Sequence, residues 1–561
     1  MAFGKGPPVA DGTLIAPQWP RTETTRHAML GLNHDFPLLL PTILEHGAMN
    51  FGATAVISHG REEVVRTDYA RTAERARRLG SSLVRLGFGP GMFAGSLAWN
   101  SHRHLELFYG MTGVGGVLHT ANPRLPPETV AYTINFTGYR TLFIDADTVP
   151  LVEQIAPLLE TVEQFVMMAP GPVPTSLPNV IAYEDLITAG DADFAWPVLD
   201  ERSACLLCFT SGTTGAPKGA LYNHRGTVLG AMSTGSGNGW GLSANDAIIA
   251  LPGFFHCNGW AIPFFGPMYG ARLVIPGRNM DTAFLHRLIV DEGVTAGPGV
   301  PTIWLSMLEH VRQTGQGLGR LNRLFSGGSA PPAAMMEAYF HDHGVRTTHG
   351  WGMTETTSGS TISFAPDDMP EDEAIAAMRT QGKPLYGNEI RIVDEDGRLL
   401  PRDGKTPGHL QARGAWIAGG YFRRPEVDSQ SADGWMKTGD VAVIDPDNTL
   451  HIVDRAKDVI KSGGEWISSQ ALEDATMHHP MVQEAAVVAI PHPRWQERPF
   501  LVVVASGPVS VEELRAHLAD RVPKWWLPDA IAFVEELPHG PTGKLAKNVL
   551  RDWMAEGKLT P

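Results

Sequence analysis

The segment from Thr210 to Gly219 has the composition of an anion-binding loop. It reads Thr-Ser-Gly-Thr-Thr-Gly-Ala-Pro-Lys-Gly, so it combines several hydroxyl groups, three glycines and one lysine with little side-chain bulk. Glycines let main-chain N–H groups approach a ligand closely, hydroxyl groups add donors, and Lys218 supplies a positive charge. We therefore predict that the loop binds a polyphosphate. Its spacing differs from the G-x-x-x-x-G-K-[ST] pattern of P-loop proteins.

A buried strand is predicted directly before this loop, because Ala204 to Phe209 is a short apolar run. The loop would then leave a strand end, where ligands of α/β sheets commonly bind. Further short apolar runs alternate with helical patterns, such as a helix predicted from Tyr69 to Leu86 with Thr67 as its N-cap. This alternation predicts an α/β fold with mainly parallel sheets. The runs lie at 92–98, 141–145, 247–251, 272–275, 485–490 and 501–505.

Length, charge and cysteine content restrict the classes of protein that fit. A chain of 561 residues is too long for a single core and indicates at least two domains. A formal net charge of −15 argues against a nucleic-acid partner, so an anionic ligand would have to meet a local basic site. Three cysteines cannot form a disulfide framework, which predicts a reducing, cytoplasmic location.

Several other patterns have structural rather than chemical interpretations. Cys205 and Cys208 form a C-x-x-C with apolar flanks and no second pair, which favours two small residues of a core strand over a redox or zinc site. The apolar region 248–270 is interrupted by prolines and polar residues, so it predicts a pocket lining rather than a membrane span. The acidic segment from Asp367 to Glu373 predicts an exposed loop.

The ten-residue loop resembles the phosphate loop of the adenylate-forming superfamily, which contains acyl-CoA synthetases, nonribosomal-peptide adenylation domains and firefly-type luciferases. The other motifs of that superfamily follow in order along nearly the whole chain. The resemblance implies that the loop binds ATP and that Thr210 and Lys218 also contribute to catalysis. The ATP-binding residues implied in the loop are Thr210, Ser211, Gly212, Thr213, Thr214, Gly215 and Lys218.

The segment Phe255-His-Cys-Asn-Gly-Trp260 is similar to medium-chain and methylthiopropionate-type acyl-CoA ligases. The resemblance implies that His256 borders the carboxylate site and that Trp260 forms part of the acyl wall. Taken alone, a histidine beside two phenylalanines is more often a hydrogen-bonded core residue. Cys257 could suggest a nucleophile, but the chemistry implied here requires no acyl-enzyme.

Two glycine-containing motifs would complete the nucleotide and acyl sites. Gly327-Gly328-Ser-Ala-Pro resembles the segment beside the adenine and acyl pockets, and His349 to Thr356 resembles the motif that contacts adenine, phosphate and metal. A single glutamate suffices for Mg²⁺, which also takes phosphate oxygens and waters. The resemblance implies Gly327, Gly328, Gly352 and Met353 at the acyl pocket, Gly328, Trp351, Gly352, Met353 and Thr354 at ATP, and Glu355 as the Mg²⁺ ligand and a catalytic residue.

A ribose-binding motif and a hinge are implied by the resemblance between residues 435 and 458. The motif from Trp435 to Asp440 resembles the one whose aspartate accepts hydrogen bonds from both ribose hydroxyls, and the two oxygens of a carboxylate can span such a pair. In the hinge motif that follows, Arg455 would contact the ribose and Lys457 would be the pivot. Asp454 stands there in place of the usual glycine, for which we expect a modest effect. His409 likewise stands where glutamate is common.

The predicted domains are therefore residues 1–454, an N-terminal adenylation domain, and residues 455–561, a small mobile α+β domain. Within the small domain, the motif from Lys461 to Ser468 resembles the segment that lines the pantetheine tunnel of CoA. The implied tunnel residues are Ser462, Gly463, Gly464 and Glu465. Lys544, in Pro-Thr-Gly-Lys-Leu, would be the catalytic lysine that bridges the substrate carboxylate and the α-phosphate of ATP.

These motifs together predict an ATP- and Mg²⁺-dependent carboxylic acid–CoA ligase acting on an apolar short- or medium-chain or arylalkanoic acid. These motifs are more specific for adenylation than for the acceptor of the acyl group. Transfer to the phosphopantetheine of a carrier protein and a luciferase-like oxygenation therefore stay open as alternatives. An ATP-binding protein without catalysis is a further alternative, against which Lys544, Glu355 and Asp440 argue. Dimers are common among similar enzymes, so a homodimer is compatible with the resemblance.

Overall fold

A computed structural model describes residues 32–61, 63–210, 216–357, 359–366, 368–463, 465–540 and 545–560. The strands, in chain order, are β1 (Ala55–His59), β2 (Val64–Asp68), β3 (Phe93–Leu97), β4 (Val117–Ala121), β5 (Thr141–Ile144), β6 (Gln164–Met167), β7 (Val180–Ala182), β8 (Ala204–Phe209), β9 (Gly219–Asn223), β10 (Ala247–Ile249), β11 (Arg272–Ile275), β12 (Ala296–Gly299), β13 (Arg323–Ser326), β14 (Arg346–Trp351), β15 (Thr361–Ile362), β16 (Lys383–Pro384), β17 (Asn388–Val393), β18 (Gly408–Gly414), β19 (Met436–Ile444), β20 (Leu450–Arg455), β21 (Ile460–Ser462), β22 (Glu465–Ile467), β23 (Val482–His492), β24 (Gln496–Ala505) and β25 (Ala530–Phe533).

The helices, in chain order, are α1 (Leu40–Phe51), α2 (Tyr69–Arg85), α3 (His102–Gly113), α4 (Pro127–Thr137), α5 (Val149–Ile155), α6 (Tyr183–Ala189), α7 (His224–Gly235), α8 (Cys257–Trp260), α9 (Ile262–Tyr269), α10 (Thr282–Asp291), α11 (Pro301–Thr314), α12 (Ala333–His343), α13 (Glu371–Arg379), α14 (Ser469–Met477), α15 (Val511–Ala519) and α16 (Lys547–Ala555). Among the described residues, no helix combines the length and apolar character that a membrane crossing requires.

Two large sheets dominate the N-terminal part. One has seven strands in the order β7-β6-β5-β3-β4-β8-β9, and the other has nine in the order β16-β15-β14-β13-β12-β10-β11-β1-β2. Their central strands are parallel, while antiparallel pairs occur at the edges, such as β8 with β9 and β1 with β2. The predicted α/β fold with mainly parallel sheets is confirmed.

Helices cover both faces of each large sheet. The largest core joins inward-facing residues of both sheets with α1, α2, α3 and α9, and contains fully buried side chains such as Tyr69, Phe108 and Phe264. Separate cores lie under α10 to α12 and under α4 with α5. Apolar stripes on helices bury against apolar sheet faces, which is the packing expected of layered α/β folds.

A smaller C-terminal domain follows a four-stranded antiparallel sheet. That sheet runs β17-β18-β19-β20, and the C-terminal domain is built on a second sheet, β22-β21-β24-β23, with β25 parallel to β24. Helices α14 and α15 pack on one face of the second sheet, and α16 packs on the other. The chain passes from the first sheet to the second between the end of β20 at Arg455 and the start of β21 at Ile460.

Two local predictions were wrong. Helix α2 is capped by Asp68 rather than Thr67, because the Asp68 carboxylate accepts the Arg71 N–H at 2.8 Å. The acidic segment predicted as a loop contains the first turn of α13, where Glu371, Asp372 and Glu373 lie. Carboxylates are favourable there because they interact with the unpaired N–H groups and the dipole of a helix N-terminus. Residue 367 lies outside the described residues.

Candidate active site

The predicted phosphate loop connects β8 to the antiparallel β9. The Thr210 N–H donates to the Lys218 carbonyl at 2.9 Å, and the Lys218 N–H donates to Thr210 Oγ1 at 3.2 Å. These two bonds close the base of the loop. Residues Ser211, Gly212, Thr213, Thr214 and Gly215 lie outside the described residues. Because β8 is parallel to β4 and next to it, Thr210 at the end of β8 lies at the same edge of the sheet as the segment that follows β4.

A chain of polar contacts joins Lys218 to Glu355. The Lys218 ammonium lies 5.2 Å from the centre of the Tyr421 ring, a cation–π contact, and the Tyr421 hydroxyl donates to Glu355 Oε1. Glu355 is buried in the 3₁₀ turn Thr354–Thr356 that follows β14. Burial raises the pKa of Glu355 above its ordinary value, and the hydrogen bond from Tyr421 opposes that rise. A buried carboxylate of this kind is suited to neutralisation by a cation.

The turn that carries Glu355 is fixed by its neighbours. The Tyr222 hydroxyl donates to the Thr354 carbonyl, and the Ala418 N–H donates to the Glu355 carbonyl at 2.7 Å. Thr354 Oγ1 also lies 3.4 Å from Cys257 Sγ. The predicted phosphate and metal residues are therefore held by strands β9 and β14 and by the segment that follows β18.

Trp351, Asp440 and Arg455 form a second group. The indole Nε1–H of Trp351 donates to Asp440 Oδ2 at 2.8 Å, and Arg455 Nε lies 2.9 Å from Asp440 Oδ1. Asp440 is 3% exposed, whereas the Arg455 side chain is 44% exposed. The Trp351 ring packs on the four-stranded sheet, beside Ile390 and other apolar residues. The structure thus brings together the residues predicted to contact adenine and ribose.

An unusual turn carries His256 and Trp260. Cys257, Asn258, Trp260 and Ala261 all have positive φ, from 39° to 60°, and Gly259 has φ 68°, so α8 is a single left-handed turn. Left-handed backbone costs roughly 1–2 kcal/mol per residue for L-amino acids other than glycine. Strain of this size is characteristic of functional sites, where the surrounding contacts maintain it.

Two contacts join this turn to other segments. Asn258 Nδ2 donates to Thr120 Oγ1 of β4 at 3.1 Å, and Cys257 Sγ lies 3.4 Å from Thr354 Oγ1. Within the turn, the half-buried His256 has its Nε2 4.0 Å from Cys257 Sγ. The three cysteines, Cys205, Cys208 and Cys257, are all buried free thiols. The C-x-x-C of Cys205 and Cys208 lies in β8, as the core-strand interpretation predicted.

The glycines predicted at the acyl pocket lie where side chains would collide. A Cβ on Gly327 would lie 3.3 Å from the Trp260 ring, and one on Gly352 would lie 2.9 Å from the Cα of Gly359. Gly328 has φ +85°, a conformation that glycine adopts without strain. Met353, partly buried, packs with Trp351 on the four-stranded sheet. Gly327, Trp260 and the turn of Thr354 thus meet at the carboxyl ends of β10, β13 and β14.

The residues predicted for the CoA tunnel lie in the C-terminal domain. Ser462 is buried and its Oγ accepts a bond from Arg498 at 3.2 Å. The Gly463 N–H donates to the Trp495 carbonyl at 2.9 Å, and a Cβ on Gly463 would lie 2.8 Å from the Trp495 ring. Gly464 and Lys544 lie outside the described residues, and so does the side chain of Glu465.

This domain also contacts the four-stranded sheet. The ring centres of Trp466 and His409 are 5.8 Å apart, and His409 Nε2 and Lys461 Nζ lie 3.3 and 3.6 Å from the Glu395 carboxylate. His409, which stands where glutamate is common, therefore contributes to the junction of the two domains. Lys457, the predicted pivot, has its carbonyl bonded to Arg551 at 3.4 Å.

Tyr421 is the residue of this region that sequence reasoning missed. It lies 66 positions from Glu355, so no helical or strand periodicity connects the two. The only local signal is its place after Gly419 and Gly420. The contact between Asn258 and Thr120 was also not predicted, because it joins residues 138 positions apart.

Comparison with known proteins shows which family this chain belongs to. The family model described as AMP-binding enzyme matches residues 44–422, and its C-terminal domain model matches residues 471–544. A 3-methylmercaptopropionyl-CoA ligase from Ruegeria lacuscaerulensis is 43% identical, covering 93% of this chain and 98% of the relative. A medium-chain-fatty-acid–CoA ligase from Ectopseudomonas oleovorans is 42% identical, covering 93% and 97%.

A solved structure extends the similarity to the fold. The anthranilate CoA ligase AuaEII, in complex with anthranoyl-AMP, has a TM-score of 0.84 and 26% identity over 94% of this chain and 99% of its own. The predicted reaction class is confirmed: the protein is an AMP-forming, ATP-dependent ligase of the acid–CoA type, and its substrates include ATP and CoA. The chain belongs to the AMP-binding enzyme family, in the acyl-CoA synthetase branch of the adenylate-forming superfamily.

Proposed function

We propose that the protein activates an apolar short- or medium-chain or arylalkanoic acid and transfers the acyl group to CoA. The observation that supports this proposal is the close approach of the apolar Trp260 ring to Gly327, where an added Cβ would lie 3.3 Å from the ring. The buried Phe254 and Phe255 lie in the same segment. The relatives' named acids, methylmercaptopropionate and medium- or long-chain fatty acids, are also largely apolar.

The reaction needs two steps because a free carboxylate has no leaving group that a thiol could displace. In the first, a carboxylate oxygen attacks the α-phosphorus of ATP, the bond to the β-phosphate oxygen breaks, and pyrophosphate leaves. In the second, the sulfur of CoA, having lost its proton, attacks the acyl carbonyl, and AMP leaves. Each step converts one activated species into another, so both can share one acyl pocket.

Glu355 fits the role of magnesium ligand. Its Oε1 accepts a bond from Tyr421, its pKa is raised by burial, and a divalent cation would offset the cost of a buried negative charge. Among the described residues there is no cluster of three or more acidic, histidine or cysteine side chains that could hold a metal. A site with one carboxylate is compatible with Mg²⁺, which is then held mainly by phosphate oxygens and waters. When bound, Mg²⁺ would reduce the repulsion between the phosphates and the attacking carboxylate.

Asp440, Trp351 and Arg455 would hold the adenosine. The two oxygens of the Asp440 carboxylate, which contact Trp351 and Arg455, have the spacing that a vicinal pair of ribose hydroxyls requires. Trp351 would lie against the adenine, with Gly328, Gly352 and Met353 beside it. Because Asp440 is buried and held by Trp351, it needs little reorganisation when the nucleotide binds.

The phosphate contacts would come from the loop and from two lysines. Thr210, Lys218 and residues 211–215 would surround the triphosphate, and Thr354 would add a hydroxyl contact. Lys544 would bridge the carboxylate and the α-phosphate during adenylation, and His256 would border the carboxylate.

For the second step we place the domain boundary between residues 454 and 455 and the pivot at Lys457. The passage of the chain from β20 into β21 supports this placement. Rotation about Lys457 would withdraw Lys544 and bring Ser462, Gly463, Gly464 and Glu465 to the pantetheine tunnel. The buried free thiols are consistent with a reducing, cytoplasmic location, and a homodimer is our expectation for the assembly.

The experiment that tests the proposed function is pyrophosphate release from ATP and Mg²⁺ across a series of acids, each with and without CoA. The series runs from acetate to dodecanoate and includes methylthioalkanoic and phenylalkanoic acids. We expect release that becomes catalytic only with CoA, yields AMP, and is fastest with an apolar acid. Release that CoA does not stimulate would contradict CoA as the acceptor, and a preference for dicarboxylic or hydroxylated acids would contradict the apolar pocket.

A further inference from the structure

Asp454 connects two parts of the molecule that belong to different domains. Its backbone lies in β20 and is paired with Val441 of β19. Its carboxylate Oδ2 accepts the N–H of Ser469, the first residue of α14, at 2.7 Å, and also accepts the Ser469 hydroxyl. The main chain of Asp454 is thus fixed on the four-stranded sheet, while its side chain is bound to the C-terminal domain.

The contact between Asp454 and Ser469 is buried and belongs to a larger polar network. Asp454 itself is 5% exposed. Lys547 Nζ lies 2.5 Å from Ser469 Oγ and 2.7 Å from Glu473 Oε1, with Lys547 and Glu473 side chains 12% and 16% exposed. Asp454 and Glu473 both raise the pKa of Lys547, which opposes the effect of its burial. One buried cation therefore balances two carboxylates, and Asp454 belongs to a network rather than to a surface pair.

The two ends of this network lie on opposite sides of Lys457. Arg551 of α16 bonds to the Lys457 carbonyl and pairs with Asp458 at 2.5 Å, so the chain after the pivot is attached to the C-terminal domain. A rotation at Lys457 would carry Ser469, Lys547 and Arg551 with that domain. Asp454 would stay behind because β19 holds its backbone. The contact between Asp454 and Ser469 can therefore exist in only one domain orientation.

We propose that Asp454 is a positioning residue that latches the C-terminal domain in the orientation seen here and so sets the balance between adenylation and acyl transfer. This inference rests on the proposed function, since it assumes that the two steps use different orientations. A contact present in one of two states shifts their populations by its own free energy. A glycine at this position could not form the contact.

The test compares both half-reactions in full-length Asp454→Ala, Asp454→Asn and Ser469→Ala variants. One assay follows acyl-AMP formation from ATP, and the other follows acyl-CoA formation from supplied acyl-AMP. We expect Asp454→Ala to change the ratio of the two rates by about tenfold, an effect typical of losing a hydrogen bond to a charged group. Asp454→Asn and Ser469→Ala retain part of the contact, so they should change this ratio less, in the same direction. A ratio does not depend on the amount of folded enzyme.

A second readout is the rate of trypsin cleavage at Arg455 and Lys457, which should rise in Asp454→Ala. The matched control is Asp445→Ala, because Asp445 pairs with His451 of the same strand, β20, without crossing the pivot. Unchanged ratio and unchanged cleavage in Asp454→Ala would overturn the latch. If the unaltered protein forms acyl-AMP but transfers it to no CoA, the proposed function fails instead, and the cleavage rates still decide the latch.

Discussion

The nucleotide region and the domain junction are held together by different kinds of contact. In the nucleotide region, Trp351, Glu355 and Asp440 are all buried and have side-chain hydrogen bonds to neighbouring residues. At the junction, the Lys461 and Glu395 side chains are 51% and 69% exposed. Exposed ion pairs of that kind contribute about 0–1 kcal/mol. This difference fits our proposal of a preorganised site for the first reaction step and a junction that rearranges for the second.

Asp454 differs from that exposed pair, because its contact is buried and part of a charged network. A buried acceptor that loses its donors costs about 1–3 kcal/mol. That amount is enough to bias a two-state equilibrium without fixing it. The junction therefore combines weak, exposed contacts with buried ones that can hold an orientation, namely those of Asp454 with Ser469 and of the Ser468 hydroxyl with the Val453 carbonyl at 2.5 Å.

The largest effect is expected for Lys544→Ala. Removing this charge should slow acyl-AMP formation by on the order of 10²–10³, as for other preorganised charge contacts, and leave acyl-CoA formation from supplied acyl-AMP nearly unchanged. Rapid-quench measurement of both half-reactions checks this. Lys558→Ala is the matched control, since Lys558 lies in the same domain and its side chain is 67% exposed. Equal losses in both half-reactions would remove Lys544 from the adenylation step.

A smaller effect is expected for Asp440→Asn. The amide retains the shape but loses the charge that pairs with Arg455 and would bind the ribose, so the KM for ATP should rise by about tenfold or more. The KM for the acid should change little. Steady-state pyrophosphate release measures both values. A rise confined to the KM for the acid would show that Asp440 serves the acyl site rather than the nucleotide.

Tyr421→Phe should change the pH dependence more than the maximal rate. The Tyr421 hydroxyl lowers the pKa of Glu355, so its removal should raise that pKa further. The carboxylate would then ionise at higher pH, and the acidic limb of the pH–rate profile for pyrophosphate release should shift to higher pH. Activity at alkaline pH should be nearly retained. A profile that stays in place would mean that Glu355 is not the group titrating in that limb.

The smallest effect is expected for Gly327→Ala. The added Cβ would lie 3.3 Å from the Trp260 ring, close enough to require a small shift. We expect kcat/KM for the longest accepted acid to fall by about tenfold or less, because one methyl group in an apolar pocket has an effect of that order. Short acids should be unaffected. A uniform fall for all acids would place Gly327 outside the acyl pocket.

Local patterns in the sequence were sufficient for much of the fold. The predicted strands 204–209 and 272–275 coincide with β8 and β11, and the helix predicted from Tyr69 begins at that residue. Short apolar runs and helical periodicity are local, so they can be recognised without knowledge of tertiary contacts. The end of a helix depends on which of several polar side chains reaches its N–H groups, and Asp68 could not be distinguished from Thr67 by type.

The candidate site was predicted from its motifs but not from its contacts. Trp351 and Asp440 belong to separate motifs, and their 2.8 Å hydrogen bond exists only because β14 packs on the four-stranded sheet. The contacts of Tyr421 with Glu355 and of Asp454 with Ser469 likewise join residues that only the folded chain brings together. For Asp454 the sequence predicted a modest effect on the hinge, and the structure adds a specific buried partner.

The most direct test of the two-step account follows acyl-AMP in a single turnover. Enzyme in excess over [α-³²P]ATP is mixed with an accepted acid, CoA is added after acyl-AMP has formed, and samples are quenched at intervals before and after that addition. The account predicts that enzyme-bound acyl-AMP accumulates without CoA and is converted into acyl-CoA and AMP after its addition, at a rate no slower than the overall turnover. Acyl-CoA that forms without detectable acyl-AMP, or acyl-AMP that does not react with CoA, would contradict the account.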